Sequence, residues 1–213
     1  MIQILCGRDI ANTTTSFPSS SLSSSSSSSS SGDGLLSDEK KKIFEFAAQM
    51  RNYVYVIVVD NEAVLIDPCW DVSGLIKELK ERFGVKKVGK ALFTHRHFDH
   101  TGGLLPRFMT GGRSGVRVEG VKEISSDYGI KVYIGEKDVT AVARQSGMKE
   151  SEIVALKEGM CVPVGKMFHI EIIETPGHTP GSCCFRLVHK KASSDGGILF
   201  TGDTLFIGSC GRS

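Results

Sequence analysis

Three histidines and an aspartate fall within six residues of this chain, at His95, His97, Asp99 and His100. Imidazole nitrogens and carboxylate oxygens are ligands that zinc and similar divalent ions accept. Because side chains two apart on an extended segment point the same way, His95 and His97 can chelate one ion. Asp99 and His100 follow the end of an apolar strand, where a turn at Gly102-Gly103 can direct them to a second ion. This spacing predicts a metal site.

Two later clusters each present one further candidate ligand on a loop. His178 lies between two Pro-Gly pairs, in the stretch T-P-G-H-T-P-G, which stiffens the chain on both sides of the ring. Asp203 follows the apolar residues 198–200 in a Gly-Asp turn. Because a carboxylate has two oxygens, Asp203 can bridge two ions a few ångströms apart, as two-metal hydrolytic sites require. We therefore expect His178 and Asp203 to join the first cluster.

The elements that would position these clusters alternate between strands and helices. Apolar, β-branched and aromatic runs predict strands over residues 53–59, 63–66, 88–93, 131–134, 168–173, 183–188 and 198–200. Helices are predicted over residues 72–83, 121–128 and 136–145. Residues 43–46 fit a strand or the end of a helix, 104–120 suggest a loop beside the site, and 151–165 are ambiguous. Each ligand cluster follows a strand, where a rigid sheet can present a loop.

Composition narrows the classes of partner and compartment. The chain has 213 residues, a net charge of +2 and 23% charged residues, which fits one domain and argues against nucleic acid as a partner. Apolar runs fall well short of the roughly 20 residues of a membrane span, so we expect no membrane partner. The six cysteines include no C-x-x-C pair, and we expect reduced thiols in a reducing compartment such as the cytoplasm.

The start of the chain is unlike the rest. Residues 1–12 contain a short apolar piece that could be a first strand, and residues 13–34 are dominated by serine. A serine-rich segment has little to bury, so we expect it to stay disordered, with the main domain over residues 35–213. A serine-rich start also occurs in transit peptides, but Arg8 is its only basic residue before Lys40, which weakens the case for organelle targeting.

The motifs T-H-x-H-x-D-H, T-P-G-H-T-x-G and F-T-G-D-T-L-F, in this order, resemble the metallo-β-lactamase superfamily. Within it, residues 208–212 resemble the G-x-C-G-[KR] segment of hydroxyacylglutathione hydrolases (glyoxalase II). Asp67 matches the superfamily's first aspartate motif, and residues 49–55 resemble its opening strand. The resemblance implies an αββα sandwich with a metal site at one edge between two sheets. It also implies that the chain is truncated at its C-terminus.

The resemblance implies a set of ligands for two ions. The first ion takes His95, His97 and His178, the second takes Asp99 and His100, and Asp203 bridges them. The family's second ion has one more histidine, downstream of the G-x-C-G-[KR] segment, and the sequence ends at Ser213 without it. We do not expect His169 or His189 to replace it. We therefore expect a well-formed first site and a weaker second one.

The resemblance also implies a hydrolase in which metal-bound hydroxide attacks a glutathione-type thioester such as S-lactoylglutathione. Asp99 would orient the hydroxide and move a proton, and Arg212 would contact a carboxylate of the substrate. The cofactor would be one or two Zn²⁺ ions, with iron or manganese as alternatives. Two other interpretations stay open: a persulfide dioxygenase with one iron on His95, His178 and Asp203, and an inactive truncated chain. The sequence does not indicate the oligomeric state.

Overall fold

The structure is a computed structural model that describes residues 1–5, 45–107, 110, 112, 116–191 and 196–212. The serine-rich residues 13–34, predicted to be disordered, lie outside these ranges. The strands are β1 Ile2–Leu5, β2 Tyr53–Val59, β3 Glu62–Ile66, β4 Lys87–Phe93, β5 Gly103–Leu104, β6 Arg117–Val118, β7 Lys131–Gly135, β8 Ile153–Leu156, β9 Cys161–Val164, β10 Phe168–Glu174, β11 Cys183–His189 and β12 Ile198–Phe200. The helices are α1 at residues 45–50, α2 Val72–Glu81, α3 Phe98–Thr101, α4 Val121–Ser126 and α5 Val139–Ser146.

Two sheets form the centre of the described fold. The larger has six strands in the order β1-β2-β3-β4-β7-β8, and the smaller has four in the order β12-β11-β10-β9. Strands β1 to β3 pair antiparallel, whereas β4 pairs parallel with both β3 and β7. Strands β2 and β3, both predicted from the sequence, form a hairpin whose turn places Asp60 and Asn61 at φ 52° and 64°. Aspartate and asparagine tolerate this left-handed region better than most residues, which explains their place in the turn.

Alternation along the central strands divides the core into two layers. Leu65 and Phe93 point to the side that the helices cover, whereas Ile66 and Leu92 point into the space between the two sheets. Phe185 of β11 enters that inter-sheet layer from the opposite side. A strand buried on both faces appears in the sequence as a continuous apolar run rather than an alternating one. The result is a layer of helices followed by two sheets, as the αββα prediction requires for the described part.

The predicted elements are present, with bounds that differ by a few residues. Residues 45–50 are helical, so residues 45 and 46 lie in a helix rather than a strand, and that helix continues to residue 50; residues 43 and 44 lie outside the described ranges. The predicted helix at 136–145 begins instead as a 3-10 turn, Glu136–Asp138, and continues as α5. The ambiguous region 151–165 contains β8 and β9. Pro163 obscured β9, and it is tolerated there because β9 is at the edge of its sheet.

The region predicted as an irregular loop beside the site contains two short strands, β5 and β6, which pair antiparallel. Residues 108, 109, 111 and 113–115 of that region lie outside the described ranges. None of the helices in the described ranges is long and apolar enough to cross a membrane.

Candidate metal centre

The three sequence clusters meet at one edge of the two sheets. His95 and His97 follow the end of β4, His178 lies in the loop between β10 and β11, and Asp203 follows β12. The backbone N–H of Cys183, at the start of β11, donates a 2.9 Å hydrogen bond to the carbonyl oxygen of Thr94. This bond joins the smaller sheet to the larger one at the residue immediately before His95.

The short helix α3 places the remaining members of the first cluster. His97 is its N-terminal flanking residue, in an extended conformation with φ −66° and ψ 147°. Asp99 and His100 lie within the helix and are buried. The helix ends at Gly102 and Gly103, whose φ angles of 72° and 110° lie in the region that glycine adopts without strain. The turn predicted from the Gly-Gly pair is therefore present.

His95, His97 and His178 form a tight group. One ligand atom from each lies within 4.8 Å of the others. The rings of His97 and His178 meet edge to face, with their centroids 4.5 Å apart. Among the described residues, Nε2 of His95 and Nε2 of His178 are buried and have no hydrogen-bond partner. Buried polar atoms are rarely left unpaired, and a divalent ion between these nitrogens would supply the missing interaction. The residues present therefore fit a metal ion.

Hydrogen bonds to Nδ1 of His95 and of His178 determine which nitrogen of each ring carries the proton and which faces the centre without one. Thr94 Oγ1 donates to the carboxylate of Asp67 at 2.8 Å, so the same oxygen can only accept from His95 Nδ1, 3.1 Å away. His178 Nδ1 lies 2.6 Å from the carbonyl oxygen of Arg212, which can only accept. Both rings therefore carry their proton on Nδ1 and direct the Nε2 lone pair inward, as metal-binding histidines commonly do.

A second group shares members with the first. Ligand atoms of His95, His100 and Asp203 also lie within 4.8 Å of one another. One carboxylate oxygen of Asp203 is 3.2 Å from Nε2 of His100, and the other is 3.3 Å from Nε2 of His178. The carboxylate thus faces both groups at once. A side chain in this position can contact two neighbouring ions.

Asp99 lies beside this second group. Its Oδ2 is 3.6 Å from Nε2 of His100 and accepts a 2.9 Å hydrogen bond from Asn52 Nδ2. Its backbone carbonyl oxygen is 3.0 Å from Asn52 Nδ2, 3.0 Å from Trp70 Nε1 and 3.2 Å from Cys69 Sγ, all of which donate. These contacts fix both the main chain and the carboxylate of Asp99.

Asp67 connects β3 to both histidine groups. Its Oδ1 accepts the backbone N–H of Thr94 at 2.7 Å, and its Oδ2 accepts Thr94 Oγ1 and His100 Nδ1 at 2.8 and 3.0 Å. These contacts make Asp67 a support of the candidate ligands, and its φ of 51° gives it the backbone of a turn as well.

Burial and charge act in opposite directions on the pKa values of the site. Burial, followed by the repulsion of neighbouring histidines, lowers the pKa of His95 far below its usual range. Burial and the nearby His178 also lower the pKa of His97. Burial alone would lower the pKa of His100, but the carboxylates of Asp67, Asp203 and Asp99 outweigh it and raise that pKa well above the usual value. The His95 and His97 rings are thus neutral near pH 7, as metal binding requires.

The carboxylate of Asp203 is ionised. Burial would raise the pKa of Asp203, but the hydrogen bond from His100 and the proximity of His178 and His97 hold it below its usual range. A negatively charged carboxylate between imidazoles attracts a cation more strongly than it attracts a neutral molecule.

Other predicted residues lie outside the centre. The side chain of Arg212 is exposed, and its contact with the site is through its backbone carbonyl. His169 pairs with Glu171 at 3.3 Å, and the His189 ring packs edge to face against Phe168. Neither histidine belongs to the candidate metal groups found among the described residues.

Sequence reasoning missed Asn52 and Asp138 as residues of the site. Asn52 carries a detectable signal, because it is a polar residue directly before β2 in the segment that resembles the family's opening strand. Asp138 carries none, since Gly-Glu-Lys-Asp after a strand is typical of an ordinary strand-to-helix turn. Its role depends on contacts with residues that are 41 to 43 positions away in the sequence.

Comparisons with known proteins identify relatives of this chain. Residues 49–106 match the Lactamase_B family, described as the metallo-beta-lactamase superfamily. The chain is 29% identical over 173 residues to the cytoplasmic hydroxyacylglutathione hydrolase of Arabidopsis thaliana, covering 80% of this chain and 55% of that protein. It is 31% identical over 166 residues to the hydroxyacylglutathione hydrolase of Pelagibacter ubique, covering 76% and 54%. The chain thus spans little more than half the length of these curated relatives.

A solved metallo-beta-lactamase from Staphylococcus aureus superimposes with a TM-score of 0.56 at 24% identity, covering 75% of this chain and 42% of that one. The chain therefore has the metallo-β-lactamase fold and resembles that superfamily in sequence. The curated relatives include hydroxyacylglutathione hydrolases and, at 25% identity over 162 residues, a probable polyketide biosynthesis zinc-dependent hydrolase of Bacillus subtilis.

Proposed function

We propose that this chain is a metal-dependent hydrolase that acts on a small thioester of the glutathione type. The observation that carries the proposal is the convergence of His95, His97 and His178 with two inward Nε2 atoms that lack a hydrogen-bond partner among the described residues. The names of the Arabidopsis and Pelagibacter relatives support the substrate class.

In this proposal, two sets of residues hold the metal. His95, His97 and His178 hold the first ion, which we expect to be Zn²⁺ because imidazole donors in this number suit it. Asp99 and His100 would hold a second ion more weakly, and the carboxylate of Asp203 faces both sets of residues. The second set has fewer protein ligands, so one ion per chain is the minimal active form.

The chain's own residues supply orientation and proton transfer. When bound, such an ion lowers the pKa of a coordinated water and polarises a carbonyl oxygen. Asp99, whose carboxylate accepts a hydrogen bond from Asn52, would accept the proton of the attacking water. The thiolate that leaves a thioester is a stable anion, so its departure needs less protonation than that of an amine or alkoxide.

A cavity beside the site offers room for the substrate. It has a volume of about 790 Å³, within the usual range for small-molecule sites, and its wall includes His100 and Asp203. Tyr53, Tyr55 and Arg51 contribute apolar surface and one cation to its lining. We propose that Arg51 and the exposed side chain of Arg212 bind substrate carboxylates, for which guanidinium groups are suited.

The direct test is hydrolysis of S-lactoylglutathione by the zinc-loaded chain, which is measured as the loss of the thioester's ultraviolet absorbance. We expect turnover that disappears on chelation and returns with Zn²⁺. The variant His95→Gln should be inactive, whereas His169→Gln, a histidine outside the site, should match the parent. A chain that holds about one ion and leaves the thioester intact would overturn the substrate assignment. Less than one ion per chain with no turnover would support the inactive interpretation.

A second candidate function is a mononuclear iron oxidoreductase of the persulfide dioxygenase type. Nε2 of His178 and of His95 lie 3.3 and 4.0 Å from the same carboxylate oxygen of Asp203. Two histidines and one carboxylate on one side of an ion are the ligands of many non-haem iron oxygenases. Iron-loaded protein that consumes oxygen with glutathione persulfide, and does not hydrolyse the thioester, would favour this candidate over the hydrolase.

A further inference from the structure

Asp138 is a buried carboxylate between the two loops that carry the first metal group. It lies at the end of the 3-10 turn that precedes α5, and its side chain has no solvent exposure. Burial of a carboxylate is strongly unfavourable unless the group is paired and hydrogen-bonded. The contacts that offset this cost come from both ligand-bearing loops.

On one side, Asp138 holds the loop after β4. Its Oδ2 accepts the backbone N–H of Arg96 at 3.1 Å, and Nε of the same arginine lies 3.9 Å from Oδ1. Arg96 is the residue between His95 and His97. The hydrogen bond from the Arg96 backbone N–H fixes the main chain that carries both imidazoles. The nearby guanidinium balances the negative charge of the Asp138 carboxylate.

On the other side, Asp138 holds the loop that carries His178. Thr179, the next residue, donates its hydroxyl to Oδ2 at 2.6 Å, and the backbone N–H of Gly181 donates to Oδ1 at 3.1 Å. Since the Thr179 hydrogen is used in this bond, Ser182 Oγ donates to Thr179 Oγ1 at 2.9 Å, and it accepts Thr179 N–H at 3.0 Å. Thr179 has no solvent exposure, and Ser182 is buried.

The backbone packing around Asp138 is too close for larger residues. A Cβ at Gly181 would lie 2.6 Å from the backbone nitrogen of Asp138, and a Cβ at Gly135 would lie about 2.0 Å from the carbonyl oxygen of Gly181. Both distances are shorter than carbon–nitrogen or carbon–oxygen contacts allow. The two glycines therefore let the turn that carries Asp138 approach the His178 loop closely enough for the hydrogen bonds to form.

We propose that Asp138 is a positioning residue for the first metal. It ties the His95–His97 loop to the His178 loop, so that the three imidazoles are held at ligand distance before an ion binds. This inference rests on the proposed metal centre. It also assigns a role to Arg96, whose amide and guanidinium both face Asp138 rather than the substrate cavity.

The test is zinc affinity, measured on the purified chain by competition with a chromogenic chelator. In Asp138→Asn, one carboxylate oxygen becomes an NH₂ group that faces N–H or O–H donors, so the loops lose part of their connection. We expect zinc affinity to fall by about 10- to 100-fold, the usual effect of removing a support of metal ligands. The visible spectrum of the Co²⁺-loaded variant should also change, since it reports ligand geometry.

A matched control separates positioning from general stability. Ser146→Ala removes another buried polar side chain, which donates to the Val142 carbonyl at 2.7 Å and lies in α5, away from the loops. It should lower the unfolding temperature and leave zinc affinity unchanged. Thr179→Val provides a second route if Asp138→Asn does not fold, because it removes one hydroxyl with little change in shape. We expect about a 10-fold loss of affinity from it.

Three outcomes distinguish the possibilities. Parent-like zinc affinity and Co²⁺ spectrum in folded Asp138→Asn, or in Thr179→Val, would overturn the positioning role. A loss of affinity in these variants with an unchanged Ser146→Ala supports it. A parent chain that binds no zinc would instead contradict the metal centre on which the inference rests.

Discussion

The carbonyl oxygen of Arg212 accepts a 2.6 Å hydrogen bond from Nδ1 of His178. Residues 208–212 are of interest in the sequence because the side chain of Arg212 could bind a substrate. In the structure, Arg212 contacts the site through its main chain. The bond fixes the tautomer and direction of a candidate metal ligand, which is a common task of groups behind the ligands themselves. It makes the Gly-Arg pair a structural part of the centre whether or not the arginine side chain contacts a substrate.

The first prediction concerns the close approach that this bond requires. A Cβ at Gly211 would lie about 2.0 Å from the carbonyl oxygen of Asp203 and 3.3 Å from Cγ of His178. Gly211→Ala should therefore displace the segment and lower zinc affinity about 10-fold or more. The neighbouring Gly177 is the control, because a Cβ there meets no atom within 4 Å among the described residues, and Gly177→Ala should bind zinc like the parent. Equal affinities in the two variants would argue against the role of Arg212.

The second prediction concerns Asp67, which accepts three hydrogen bonds from Thr94 and His100. Asp67→Asn keeps the backbone, since asparagine tolerates a φ of 51°, but it turns an NH₂ group toward a buried donor. We expect a loss of about 1–3 kcal/mol in the free energy of unfolding, measured with denaturant in the presence of a chelator. The chelator excludes any contribution from bound metal.

Asp71→Asn is the control for that experiment. Asp71 caps α2 by accepting the Gly74 amide at 2.7 Å, and asparagine is an equally good cap, so this variant should stay within about 0.5 kcal/mol of the parent. If the two substitutions cost the same, Asp67 is an ordinary turn residue rather than a support of the centre.

The third prediction concerns Asn52, which holds the Asp99 carboxylate at 2.9 Å and the Asp99 carbonyl at 3.0 Å. Asn52→Leu has nearly the same volume and removes both bonds. We expect kcat for the thioester to fall about 10-fold, with a smaller change in KM, because the side chain orients a proton acceptor. Affinity for the first zinc ion should not change and serves as the internal control. Unchanged kcat would remove Asn52 and Asp99 from the proton-transfer role.

The fourth prediction concerns thiol reactivity. Burial, together with the nearby carboxylates of Glu174 and Asp138, raises the pKa of Cys183 to about 12. The thiolate is the reactive form, so Cys183 should resist alkylation at pH 8, whereas the exposed Cys161 and Cys210 should react. Peptide mapping by mass spectrometry after a short treatment with iodoacetamide measures this. Rapid labelling of Cys183 in the folded protein would contradict the burial of its side chain at the start of β11.

Local sequence pattern points to the candidate ligands because each one follows a strand, and strand ends are visible in a single stretch of sequence. His95 and His178 are recognisable in this way, and so are the strands on either side of Asp60 and Asn61. The connection between the loop of His95 and His97 and the loop of His178 cannot be recognised in this way. It depends on how one sheet stacks on the other, which brings Asp138 to Arg96 and Thr179 without leaving a local signal in the sequence.

The strands β8 and β9 show a second limit of local pattern. β8 is a run of four mostly apolar residues, too short for its pattern to distinguish a strand from a helix. β9 contains Pro163, and a proline usually argues against a strand. Their pairing is decided by neighbours, β7 for one and β10 for the other. Edge position also explains why a proline is accepted in β9, and position in a sheet is a tertiary property.

The central claim is that three histidines bind one ion, and equilibrium Zn²⁺ titration of the purified chain with metal analysis tests it most directly. We expect one tightly bound ion per chain, a weaker second one, and loss of the tight ion in each of His95→Ala, His97→Ala and His178→Ala. His100→Ala should weaken the second ion and leave the tight one. Fewer than one ion per chain, or a tight ion that survives His178→Ala, would contradict the account.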